Sequence, residues 1–66
     1  MEFTYNNKKY MLAELKEPNA NVSYDMIAIF EVYEQSFNYK FINYFYGADA
    51  PDEELIRIAK EYINRR

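Results

Sequence analysis

From Val22 to Val32 every second residue is apolar: Val22, Tyr24, Met26, Ala28, Phe30 and Val32. Side chains of an extended chain point alternately to opposite faces, so this spacing predicts a strand over about 22–34 with one wholly apolar face. Its other face, Ser23, Asp25, Ile27, Ile29, Glu31 and Tyr33, is mixed. Such a strand needs paired neighbours and a layer laid against its apolar side. In a chain of 66 residues the remaining segments must supply both.

They contain suitable candidates. Phe3-Thr4-Tyr5 alternates apolar and polar, as does Lys9-Tyr10-Met11-Leu12 more weakly, and Asn6-Asn7 between them tolerates the positive φ of a tight hairpin. Strands over about 2–6 and 9–15 follow. A helix over 8–17 competes, because Lys, Met, Leu, Ala and Glu are good helix formers. The turn signal, and the need of a short first strand for a neighbour, favour the hairpin. Glu17-Pro18-Asn19-Ala20-Asn21 reads as a loop and Glu34-Gln35-Ser36-Phe37-Asn38 as a turn. A fourth strand over about 39–46 would set Tyr39, Phe41 and Phe45 on one side and Lys40, Ile42, Tyr44 and Tyr46 on the other.

Gly47, the only glycine, ends that strand. Asp49-Ala50-Pro51-Asp52-Glu53-Glu54 offers an N-cap candidate, an early proline and acids at the positive end of a helix dipole. Leu55, Ile58, Ala59 and Tyr62 then recur at helical spacing, widened by Ile56 and Ile63, and Arg65-Arg66 closes at the negative end. The reading is a single α+β domain, 1–66: a four-stranded antiparallel β-meander (β-β-β-β-α) with one amphipathic C-terminal helix, about 51–65, packed on one face. Its expected core joins Phe3, Tyr10, Leu12, the apolar face of the long strand, Phe41, Phe45 and the helix stripe.

Composition removes most chemistry. The chain has no Cys and no His, so it can form neither a disulfide framework nor a thiolate zinc site, and it lacks the commonest general base and metal ligand. No imidazole exists to activate Thr4, Ser23 or Ser36. Asp25 and Glu31 share a strand face, but six residues of extended chain hold them about 20 Å apart, too far to act on one bond. Asp49, Asp52, Glu53 and Glu54 lack the ligand alternation of a calcium loop and are explained by helix capping. A phosphate-binding glycine loop is impossible with one glycine. No catalytic residue, metal or cofactor is expected.

Partners are narrowed as well. Net charge is −3, and residues 18–50 hold Asp25, Glu31, Glu34 and Asp49 against Lys40 alone. That balance disfavours nucleic acid, although the strand Tyr39–Tyr46 has the aromatic content of a base-stacking surface. The longest wholly apolar run is Met26–Phe30, which is no membrane span. Met1-Glu2-Phe3 opens without the features of a secretory signal, so a cytoplasmic protein is expected. Phe, Tyr, Met, Ile, Asn and Lys make up 34 of the 66 residues, a usage typical of AT-rich genomes such as those of Firmicutes, their phages and their plasmids.

One helix covers only one side of a sheet, and the apolar content exceeds what that side hides. Ile27, Ile29, Tyr33, Ile42, Tyr44 and Tyr46 are expected on the uncovered side, rimmed by Asp25, Glu31 and Lys40. Apolar and Tyr-rich surface inside a charged rim is the anatomy of a protein interface. Its occupant would be a basic surface of a host protein or a second copy of the chain.

The element order, with Lys9-Tyr10-Met11-Leu12 and Ile29-Phe30-Glu31-Val32, resembles the small YrzB-like proteins of Firmicutes, in which a Lys-Tyr-hydrophobic strand leads to an Ile-Phe-Glu-Val strand and a helix with an acidic start. The resemblance implies the hairpin and supplies no activity. By type, a tiny acidic domain devoid of catalytic chemistry resembles the anti-defence inhibitors, anti-CRISPR proteins among them, of phages and mobile elements. The expected function is therefore inhibition by protein contact. A homodimeric structural or regulatory domain is the alternative, and single-stranded nucleic-acid binding comes third.

Overall fold

The computed structural model describes residues 1–15, 25–47 and 50–65. Four strands, β1 (Glu2–Tyr5), β2 (Lys8–Leu15), β3 (Asp25–Tyr33) and β4 (Asn38–Gly47), precede one helix, α1 (Asp52–Asn64). The strands form an antiparallel sheet in the order β1-β2-β3-β4. The meander with a C-terminal helix is thus the observed architecture. Residues 8–15 are strand, and helix propensity there yields to pairing with β1 over 8–11 and with β3 over 9–15. The start of the long strand at 22–24 and the loop at 17–21 lie outside the described residues.

Local chemistry explains the joints. Asn6 and Asn7 take φ of 52° and 62°, the left-handed pair that a two-residue hairpin requires, and Tyr5 pairs with Lys8 across it. The β3–β4 turn uses Phe37 at φ 55°, a conformation that favours Gly or Asn and strains an aromatic residue. Pro51 is the helix N-cap rather than its first turn, with extended backbone and no side-chain cap bond. Its carbonyl accepts from the Glu54 and Leu55 N–H groups. Asp52, Glu53 and Glu54 occupy the first turn, while no basic residue stands in the last one; Arg65 caps the end and lies over the Tyr62 ring.

The core sits between α1 and one face of the sheet. Tyr10, Leu12, Ile27, Ile29 and Phe45 from the strands bury against Ala59 and Ile63 of the helix. Phe45 stacks on Tyr62 at 5.5 Å between centroids. The helix crosses the sheet from edge to edge. Its first turn meets β4 at Gly47, where a Cβ would come within 3.2 Å of Leu55. Its last turn reaches β1, where the Tyr5 hydroxyl and Asn64 side chain bond at 3.0 and 2.7 Å.

The two faces of β3 are the reverse of those expected from its alternation. Ile27, Ile29 and Glu31 turn toward the helix and are buried, with Ile29 wholly inaccessible. Met26, Ala28, Phe30 and Val32 turn to the face that α1 leaves open. Both sets are apolar enough to be core, so alternation alone does not choose between them. Register decides: Leu12 pairs with Ile29 and Tyr10 with Glu31, on the side that already carries Phe3 and Tyr10 stacked at 5.6 Å.

Candidate contact face

The side of the sheet opposite α1 carries no second layer among the described residues. β3 contributes Met26, Phe30 and Val32, all half-buried, and β2 contributes Met11 and Ala13 beside them. Along β4 the aromatics stand higher: Tyr39 is 58 % exposed, Phe41 53 %, Tyr44 45 % and Tyr46 65 %. Phe30 and Phe41 meet edge to face at 5.8 Å, and Tyr44 and Tyr46 do so at 5.7 Å. These rings brace one another while leaving faces and edges open to a partner.

A β-bulge creates this surface. Between Ile29 and Phe30 the β3–β4 register slips, so that Ile29 faces Asn43 while Phe30 faces Phe41. Ile42 is the extra residue, and it packs against the core cluster. Strict alternation would put Phe41 and Tyr44 on opposite faces; one inserted residue returns them to the same one. Hence Tyr39 and Phe41 join Tyr44 and Tyr46 in the open, and Phe45 alone of the expected trio reaches the core. The Asn43 side-chain oxygen accepts the Tyr44 N–H at 2.8 Å, occupying a backbone donor at the bulge.

Charges stay at the margin. Lys9 lies on the open side near the β1–β2 turn and bonds to Glu2 at 2.9 Å and Glu34 at 3.1 Å. Hydrogen bonds to Glu2 and then Glu34, with their charges, hold the Lys9 ammonium above its ordinary value. The middle of the face, from Met11 across Phe30 to Tyr44, contains no ionisable side chain other than the Tyr44 phenol.

Of the residues expected at a contact site, Tyr44 and Tyr46 lie on the open face. Ile27 and Ile29 are core, removed from any partner by α1. Glu31 is buried on the helix side, where its carboxylate accepts the Tyr33 hydroxyl at 2.8 Å and lies 3.6 Å from Lys8 Nζ. Lys40 pairs with Glu31 in register, Ile42 is the bulge residue, and Asp25 pairs through its backbone with Gly47. Tyr33 is exposed near the β3–β4 turn. Sequence reasoning missed Met11, Met26, Phe30, Val32, Tyr39 and Phe41. The signal that points to them is the charged pair Glu2 and Lys9, which marks the solvent side of the hairpin and, through register, of β3.

At the turn end of the sheet an open depression of about 510 Å³ is lined by Lys8, Lys9, Glu31 and the β3–β4 turn. Its buried carboxylate, Glu31, is engaged by the Tyr33 hydroxyl and the Lys8 ammonium. No group of three or more His, Cys, Asp or Glu placed to hold a metal ion occurs among the described residues. No helix among them is long and apolar enough to cross a membrane. Comparison with protein-family models, with curated proteins and with solved structures gave no match.

Proposed function

We propose that this protein is a non-enzymatic domain that works by protein–protein contact through the open Tyr/Phe face, of the kind used by small inhibitors from phages and mobile elements. One observation carries the reading: four consecutive outward aromatics of β4 are about half exposed over a bed of half-buried Met, Phe and Val. A monomer rarely exposes so contiguous an apolar surface without a use for it. Tyr and Phe supply contact area with few rotamers to freeze, which suits them to interface centres. The absence of His and Cys in the sequence, and a net charge of −3, favour contact over catalysis or nucleic-acid binding.

The test compares two tagged forms of the chain in lysate of the natural host. The wild type should retain a defined protein, and Phe41→Glu/Tyr44→Glu should fail to retain it while keeping the circular dichroism spectrum. Equal retention by the two forms sinks the reading. A salt-sensitive mobility shift with single-stranded oligonucleotides would replace it with nucleic-acid binding.

A further inference from the structure

We infer that the free edge of β4 receives an extended peptide of a partner protein as a fifth strand. The peptide sits mainly on Tyr39–Phe41, with apolar side chains toward the open face and a carboxylate beside Lys40. The inference rests on the contact-face reading and names what that face touches.

Hydrogen-bond phase defines the edge. The Leu12 N–H donates to the Met1 carbonyl at 2.8 Å and the Met1 ammonium to the Leu12 carbonyl at 3.4 Å, so Leu12 turns its backbone groups toward β1. Backbone direction alternates along a strand. Met11 and Ala13 therefore face β3, their partners Phe30 and Ala28 face β2, and Ile29 and Glu31 face β4. Asn43 and Lys40, opposite Ile29 and Glu31, face back to β3. Tyr39, Phe41, Tyr44 and Tyr46 are left with N–H and C=O groups directed outward. The Tyr44 N–H agrees with this phase, since it meets the Asn43 side chain rather than β3.

A row of outward backbone groups is matched by another extended chain. β4 is ten residues long, whereas the opposite edge is the four-residue β1, clasped to α1 through Tyr5 and Asn64. The bulge at Ile42 divides the β4 edge, and Asn43 takes a donor from its second half. Tyr39 and Phe41 keep four outward groups, enough to seat a short peptide. Exposed apolar surface follows the same line. The exposed rings all belong to β4, while Met26, Phe30 and Val32 one strand inward are half-buried and Ala28 is shielded. Side chains of an added strand stand about 5 Å from their cross-strand neighbours, so apolar residues at alternate positions would cover Tyr39 and Phe41. The intervening positions fall beside Lys40, which is exposed on the helix side and has no ion-pair partner among the described residues. An acid there completes the pair.

Selection from a displayed library of random linear dodecapeptides against the purified chain tests this. Retained peptides should carry apolar residues at every second position with Asp or Glu between them. Two substitutions at one site isolate the backbone. Tyr39→Ala removes the ring and keeps the N–H, whereas Tyr39→Pro removes both, and an edge strand tolerates proline. A selected peptide should bind Tyr39→Pro about 10-fold more weakly than Tyr39→Ala. Lys40→Glu should shift the selection from acidic to basic residues. Should Tyr39→Pro fold poorly, amide exchange on the wild type answers the same question, because bound peptide should protect the Tyr39 and Phe41 amides. Equal binding by the two Tyr39 variants, or exchange at both amides unaltered by peptide, overturns the fifth strand. A library that yields no peptide, while the wild type still retains a host protein through Phe41 and Tyr44, overturns the strand and leaves the contact-face reading standing. A dimer in sedimentation velocity that protects the same amides without peptide overturns the foreign peptide in favour of a second copy.

Discussion

Phe41 and Tyr44 stand three residues apart on β4 yet project from the same face of the sheet, because Ile42 is inserted at a bulge opposite the Ile29–Phe30 step. Deleting Ile42 would restore strict alternation and force a choice: Phe45 stays in the core, or the Tyr39–Phe41 half of the strand keeps its side. Removing a buried Phe from a core costs about 3–5 kcal/mol, and a domain of this size has about 3–10 in total. We expect the deletion variant to be largely unfolded at 25 °C by circular dichroism. A native spectrum with a sharp melt would show that the bulge is dispensable.

Ile29 and Phe41 separate core from surface. Ile29 is fully buried between β2, β4 and α1, so Ile29→Ala should lower unfolding free energy by about 2–5 kcal/mol in urea titrations. Phe41→Ala, at a half-exposed position, should cost roughly 1 kcal/mol in the monomer. Equal effects at the two sites would contradict the assignment of faces.

Phe37 carries an unfavourable backbone angle and an 87 % exposed ring at the β3–β4 turn. Phe37→Gly removes the left-handed penalty, about 1 kcal/mol, and should raise the melting temperature by roughly 4–8 °C in a domain this small. A fall in melting temperature would mean that the ring packs against the folded chain.

Arg57 bonds Glu54 one turn before it and Glu61 one turn after, at 3.0 Å to the latter. Its hydrogen bonds hold the Glu54 carboxyl below the ordinary carboxylate value. A depressed folded-state value contributes stability above the unfolded pKa of about 4.3 and loses it as pH falls through the folded value. The pair is exposed, so its part is small and screened by salt. In Arg57→Met the drop in stability that wild type shows on acidification below about pH 4.5 should shrink, and the difference should fade in high salt. An unchanged acid limb would mean that the pair contributes nothing to acid sensitivity.

Element order, the two-residue Asn6-Asn7 hairpin and the amphipathic α1 are legible in the sequence because each rests on local spacing or backbone preference. The face of β3 that meets the helix is not. Ile27/Ile29 and Met26/Phe30 are both apolar pairs, and only the register with Tyr10 and Leu12 distinguishes them. The bulge at Ile42 is equally hidden, since no glycine or proline marks it and its parity change is a matter of tertiary fit. Tyr44 and Tyr46 emerge on the open side as their alternation with Phe45 predicts, because the register shift lies beyond them and moves only Tyr39 and Phe41 across.

The bond between Tyr5 and Asn64 joins residues 59 apart in the chain. The last turn of α1 thus holds the first strand, while its first turn presses on Gly47 at the other edge. Such a clasp delays completion of the fold until nearly the whole described chain is in place, and non-local closures of this kind slow folding. It also ties the two edges of the sheet into one cooperative unit. Amide exchange in β1 should therefore track that in α1, with the four-residue strand opening only when the helix lifts.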